Sequence, residues 1–98
     1  MDLIFEVIDK NDKLIHLSKE RWLHISKEHP EVTSYIIRIN EILRNPTKIV
    51  SHIYNDDIKY FYRYIKEREQ KSKYLLIIVK YLNGSGFIIT TYFTRIIK

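Results

Sequence analysis

Apolar side chains recur at helical spacing through the first half of the chain. Trp22, Ile25 and His29 fall on one stripe of a helix over about residues 18–29, and Ser18 is placed to cap its N-terminus. Pro30 disfavours helical backbone at His29 and favours the start of a second helix, which ends at Asn45-Pro46. The apolar positions of this second helix have the spacing of an amphipathic helix: Val32, Ile36, Ile39 and Leu43.

Beyond residue 46 the pattern becomes β-branched and aromatic, which is typical of strands. Four segments follow one another: TKIVSHIYN, IKYFYRYI, KYLLIIVKYL and GFIITTYFT. The turn NGSG, residues 83–86, predicts an antiparallel hairpin between the last two, and the run LLIIV predicts a central strand covered on both faces. We therefore predict a single α+β domain over residues 1–98, with two N-terminal helices packed on a four-stranded antiparallel sheet. LIFEV and LIHL, on either side of DKNDK, predict a short N-terminal hairpin or an extended lead-in.

Charge narrows the class of partner. The 98 residues include 17 Lys+Arg and 12 Asp+Glu, a net charge of +5, so the field of the molecule attracts polyanions such as nucleic acid. On charge alone, a positive surface that serves solubility explains the excess equally well. There is no cysteine, the N-terminus is acidic, and no apolar run approaches the roughly 20 residues of a membrane span. These features predict a cytoplasmic protein with no membrane association.

The stretch RWLHISKEHPE carries two histidines five residues apart, about 140° around a helix. They do not share a face as the two ligands of a helical zinc pair do, and Glu28 is out of place for the inverted zinc motif, so we predict no metal site. His24 lies on the polar face with Arg21 and Glu28, where it is free to titrate near neutrality. In isolation, a solvated face explains His24 better than proton transfer does, and His29 fits a C-terminal helix cap.

Strand alternation sorts the remaining polar side chains. In the last strand it sends one set to a core-like face (Phe87, Ile89, Thr91 and Phe93) and another to the opposite face (Ile88, Thr90, Tyr92 and Thr94). In IKYFYRYI it separates the three tyrosines, Tyr60, Tyr62 and Tyr64, from Arg63. A guanidinium in mid-strand needs a partner, an anionic ligand such as phosphate, or a path to the sheet edge. Tyrosines among basic residues suit base stacking, although ordinary amphipathic strands look the same.

Taken together, HLSKERWLHISKEHPE, NPTKI, FYR and the terminal TTYFT resemble the small phage- and toxin-associated nuclease domains grouped with barnase, EndoU, colicin and RelE-type ribonucleases. The resemblance runs from about Ile15 to Arg95. It implies that the polar positions facing an active cleft are His24, His29, Glu31, Arg63, Thr90, Tyr92 and Thr94.

The resemblance also implies a metal-independent endoribonuclease without cofactors, in which the 2′-hydroxyl of tRNA or mRNA attacks the adjacent phosphate and leaves a 2′,3′-cyclic phosphate. His24 would be the general base or acid and Arg63 the phosphate clamp. Tyr92 or Thr90 would orient phosphate or water, and His29 would be the second acid/base or a structural cap. Four further residues are expected to bind the nucleic acid: Thr94, Arg21, Tyr62 and Arg95. The alternatives are a catalytically silent RNA-binding module of the same fold, or one half of a toxin–antitoxin pair that binds an acidic antitoxin or immunity protein.

Overall fold

The computed structural model describes residues 2–98. A hairpin of β1 (Leu3–Ile8) and β2 (Leu14–Ser18) leads directly into helix α1 (Lys19–Glu28), a 3₁₀ helix (Pro30–Tyr35) and helix α2 (Ile36–Arg44). Four strands complete the chain: β3 (Lys48–Ser51), β4 (Ile58–Tyr64), β5 (Tyr74–Leu82) and β6 (Ser85–Thr94). No helix in this part of the chain is both long and apolar enough to cross a membrane.

The strands form one mixed sheet in the order β1-β2-β6-β5-β4-β3. The α+β class is confirmed, but the four-stranded antiparallel sheet is a correction: the sheet has six strands, because the N-terminal hairpin joins it through parallel pairing of β2 with β6. That pairing runs from Leu14–Ser85 to His16–Phe87 and satisfies backbone groups of β6 that a four-stranded sheet would leave at an edge. It joins strands from opposite ends of the chain, so no local sequence pattern predicts it.

The helical segment follows its capping residues. Ser18 has extended backbone and its hydroxyl accepts from the Arg21 N–H at 3.1 Å, which confirms the predicted N-cap of α1. His29 closes α1, and its N–H donates to the Ile25 carbonyl at 2.7 Å. Residues 30–35 are 3₁₀ rather than α-helical, so α2 begins six residues later than the pattern predicts.

The core lies between the helices and one face of the sheet. Of the apolar positions predicted for the second helix, Val32 in the 3₁₀ helix and Ile39 and Leu43 in α2 are completely buried, while Ile36 is partly buried against the core. They pack in one cluster with sheet residues that include Phe61 and Ile77. The central position of β5 is also confirmed, since it lies between β4 and β6 and is buried on both faces over Leu75–Ile77.

A β-bulge in β6 changes the alternation predicted for that strand. Ile78 pairs with Thr90 but Val79 pairs with Ile88, so Ile89 is the extra residue and the residues before it change face. Ile88 is therefore a core residue, only 1% exposed. Phe87 lies on the opposite face, with its ring centroid 6.0 Å from that of His16. After the bulge the prediction holds, because Thr90, Tyr92 and Thr94 share one face.

The β5–β6 turn is the hairpin that its sequence predicts. Asn83 and Gly84 have φ of 53° and 85°, the positive values that both central positions of a type I′ turn require. This turn fixes the register that carries the bulge and, beyond it, the row of hydroxyl-bearing side chains.

Candidate functional site

The face of the sheet turned away from the helices, here called the outer face, carries a concentration of phenols and hydroxyls. In one cross-strand row, Tyr62 pairs with Leu76 and Leu76 with Tyr92; in the next, Tyr60, Ile78 and Thr90 are paired in the same way. The outer-face side chains of interest are Tyr60, Tyr62, Tyr64, Tyr74, Thr90, Tyr92 and Thr94. Two separate segments of the sequence thus contribute to one polar, aromatic surface.

His29 joins this surface from the end of α1. Its ring stacks on that of Tyr92 with centroids 5.2 Å apart and an interplanar angle of 26°. In the described chain β2 pairs with β6 only as far as Phe87, so the second half of β6 is open on that side to the segment that follows α1. The helix backbone fixes His29, and the tyrosine ring orients its half-buried imidazole. The structure thus brings together two of the predicted site residues.

Tyr62 lies beneath this surface and is only 1% exposed. Burial raises the pKa of its phenol, and the neighbouring phenols of Tyr92 and Tyr60 raise it further, while the Lys98 backbone N–H acts in the opposite direction. That N–H donates to the Tyr62 hydroxyl at 3.4 Å. Tyr62 therefore remains a neutral hydrogen-bond donor at physiological pH, coupled electrostatically to Tyr92.

Positive side chains border the outer face. Lys48 pairs with Tyr62 across the β3–β4 ladder and is exposed, and Arg95 follows the last residue of β6 and is also exposed. Lys98 approaches Tyr62 through its backbone N–H. A phosphate on the outer face would thus lie near basic residues of two segments, β3 and the C-terminal residues that follow β6.

Arg63 is on the opposite face of the sheet. It pairs with Leu75, between the core residues Phe61 and Ile65, and its guanidinium Nη1 donates to the backbone carbonyl of Asn45 at the end of α2. The need of a mid-strand guanidinium for a partner is met by a helix C-terminus rather than by an anion. The structure does not bring Arg63 together with Tyr92 or the threonines, because the sheet itself lies between them.

His24 and Arg21 lie on the exposed side of α1. They line a shallow depression of about 210 Å³ with Ser18 and Glu20. Within residues 2–98, His24 forms no side-chain hydrogen bond and no ion pair. The two histidines are therefore in different environments: the His24 imidazole is exposed, whereas the His29 imidazole is stacked against the sheet.

Two other findings concern metal ligands and the residues that sequence patterns missed. In the described part of the chain, no group of three or more His, Cys, Asp or Glu side chains could hold a metal ion. Lys48 and Lys98 are not among the predicted site residues, because no motif and no strand alternation distinguishes them from the other lysines of the chain. Lys48 becomes visible only through its register with Tyr62, and Lys98 only through its hydrogen bond to the same residue.

Comparison with known proteins supplies the family. No curated protein and no solved structure matches the chain significantly. A family model described as phage-Barnase-EndoU-ColicinE5/D-RelE like nuclease2 matches residues 5–98. The match includes the whole of α1, the His29–Tyr92 stack and the strands β2 to β6. The chain therefore belongs to this family of phage-associated barnase–EndoU–colicin–RelE-like nucleases.

Proposed function

We propose that this nuclease-family protein is a metal-independent endoribonuclease whose site is the outer face around His29 and Tyr92. The observation that carries the proposal is the stack of His29 on Tyr92, at 5.2 Å, next to the hydroxyl row of β6. It supports the proposal because it puts an imidazole beside a row of hydroxyl groups on one surface. The net charge of +5 suits a polyanionic substrate such as tRNA or mRNA.

The chemistry needs a base, an acid and stabilisation of phosphorane charge. The 2′-oxygen of RNA forms a bond to the adjacent phosphorus while the bond to the 5′-oxygen breaks, which leaves a 2′,3′-cyclic phosphate and a 5′-hydroxyl. His29 accepts the proton of the 2′-hydroxyl, since histidine is the side chain that most often serves as a general base. Water at this open surface protonates the departing 5′-oxygen, because His24 lies on the exposed side of α1, apart from the His29–Tyr92 stack.

Charge stabilisation is assigned to the β6 row and to the cations beside it. Tyr92 orients the His29 ring, and its hydroxyl, with those of Thr90 and Thr94, donates to the non-bridging phosphate oxygens. Lys48 and Arg95 supply positive charge at the border of the outer face, and Arg95 is also one of the residues predicted from the sequence to bind nucleic acid. Arg63 is assigned to the end of α2 and has no part in the chemistry.

The test is cleavage of mixed tRNA and mRNA in excess chelator, followed by end-group analysis. Wild-type protein is expected to produce 2′,3′-cyclic phosphate ends. His29→Ala is expected to lower the rate about 10²- to 10⁴-fold, the usual contribution of a general acid or base. His16→Ala is the matched control, because His16 also lies against an aromatic ring of the outer face, at 6.0 Å, but on the far strand β2.

The other outcomes separate the alternative functions. Intact RNA with salt-sensitive retention on the protein would replace the proposal by a silent RNA-binding module. No affinity for RNA, together with tight binding of an acidic protein, would indicate an antitoxin- or immunity-type interaction. Cleavage that stops in chelator would refute the metal-free step.

A further inference from the structure

The turn between β3 and β4 presents two large apolar side chains to solvent. Ile53 is 85% exposed and Tyr54 is 90% exposed. The position of Tyr54 is nevertheless set by the fold, because its backbone N–H donates to His52 Nδ1 at 3.1 Å. Its ring lies 6.3 Å from the His52 ring, at 61°. Because the ring is almost fully exposed, it buries little apolar area and contributes little to the stability of the folded chain.

His52 connects this turn to the outer face. Its ring packs edge-on against Tyr60, with centroids 6.0 Å apart at 84°. Tyr60 lies two residues from Tyr62 on the same face of β4, so the aromatic rings of the turn adjoin the outer face. These rings line a shallow depression of about 190 Å³, together with Val50, Ile53 and Lys98.

Charge at the turn points to an anionic strand. Asp56 and Asp57 also belong to the β3–β4 turn, but Asp56 lines a different depression with Lys13 and Lys59. The backbone of Asp57 is engaged by Tyr81, whose N–H donates to its carbonyl at 2.8 Å. On the side of the aromatic rings, the charged residue lining the depression is Lys98. Of the residues that line the depression in the described part of the chain, the one that carries a side-chain charge is therefore basic, which suits an anionic strand.

We infer that Tyr54 and His52 form a base-stacking subsite, which holds an unpaired base of a single-stranded RNA that extends from the outer-face site. The inference rests on the proposed function, since that function makes RNA the substrate. The depression is smaller than the roughly 300–1,000 Å³ pockets that enclose small molecules, so it suits one planar ring laid against the protein. Every base has a face that can stack, whereas bases within a duplex are not available.

Binding of a strand that cannot be cleaved tests the subsite apart from catalysis. The probe is a short single-stranded oligonucleotide with 2′-O-methyl groups throughout, which lacks the attacking hydroxyl, and with one 2-aminopurine, whose fluorescence is quenched on stacking. Tyr54→Ala removes the ring, Tyr54→Leu keeps apolar area without a ring, and Tyr54→Phe keeps the ring. Ile37→Ala, in α2 and 73% exposed in the wild type, is the matched surface control.

Wild type, Tyr54→Phe and Ile37→Ala are expected to bind equally and to quench the probe. Tyr54→Ala and Tyr54→Leu are expected to lose the quenching and to bind at least about fivefold more weakly, the lower end of the stacking effect per base. Because Tyr54 is exposed, circular dichroism should show these variants folded as the wild type is. Equal binding by Tyr54→Leu, or equal wild-type affinity for the matching duplex, would overturn the subsite.

The all-ribose strand, assayed in parallel for cleavage, separates the two proposals. Tyr54-dependent binding without any cleavage would refute the nuclease activity and support the stacking subsite. Cleavage that depends on His29, together with binding that does not depend on Tyr54, would refute the subsite alone. Failure of the wild type to bind the single strand would overturn the subsite as well.

Discussion

Replacing Arg63 by alanine decides whether this arginine stabilises the fold or acts on phosphate. Its guanidinium donates to the Asn45 carbonyl at the C-terminus of α2, where a positive charge also meets the negative end of the helix dipole. A hydrogen bond from a charged group contributes about 1.5–3 kcal/mol, and Arg63 is only half-buried, so about 1–2 kcal/mol of folding stability is expected to be lost. In a domain of this size, each kcal/mol lowers Tm by about 4–8 °C.

Thermal unfolding of wild type, Arg63→Ala and Arg95→Ala, followed by circular dichroism, measures this loss. Arg63→Ala is expected to lower Tm by roughly 4–16 °C, and Arg95→Ala, which removes an exposed side chain, to leave it unchanged. RNA cleavage by Arg63→Ala, measured well below its Tm, is expected to equal that of the wild type. An unchanged Tm with cleavage abolished would show that Arg63 leaves the helix end and binds substrate, and would refute the assignment of the site to the outer face alone.

Three further changes test the elements that support the site. Ser18→Ala removes the N-cap of α1 and should destabilise the protein by about 1 kcal/mol in urea unfolding, while Ser18→Asp should restore most of it. Gly86→Ala places a Cβ 2.9 Å from the Lys80 carbonyl and 2.8 Å from Ile15 Cδ1, so it should cost about 1–3 kcal/mol, measured in the same way; wild-type stability would show that the β2–β6 contact gives way easily. Burial and the hydrogen bond to Asp9 raise the pKa of Tyr81, so its stabilising contribution is complete below the ordinary tyrosine pKa of about 10 and is lost as the pH rises above it. The urea midpoint of Tyr81→Phe should therefore fall less than that of the wild type between neutral and strongly alkaline pH, and parallel curves would contradict the coupling.

Part of the candidate site could be predicted from the sequence because it depends on local periodicity. Alternation alone placed Thr90, Tyr92 and Thr94 on one face and separated Arg63 from the tyrosines, and both results agree with the strand pairing. Alternation does not say which face of one strand continues which face of the next. The resemblance placed Arg63 and Tyr92 in the same cleft. The strand register separates them, because Tyr62, and not Arg63, lies in the same cross-strand row as Tyr92.

The sequence by itself determined α1 with its Ser18 cap, the C-terminal end of α2, the tight Asn83-Gly84 turn, the central strand and the family. These features depend on residues that are close in the chain or on motifs within it. Tertiary structure alone decided the parallel pairing of β2 with β6, the bulge at Ile89, the stack of His29 on Tyr92 and the engagement of Arg63 by Asn45. Apart from the bulge, each joins segments that are distant along the chain. The bulge is itself fixed by the register between β5 and β6. Such contacts depend on how the helices and strands pack together around the hydrophobic core, and local sequence propensity does not predict that packing.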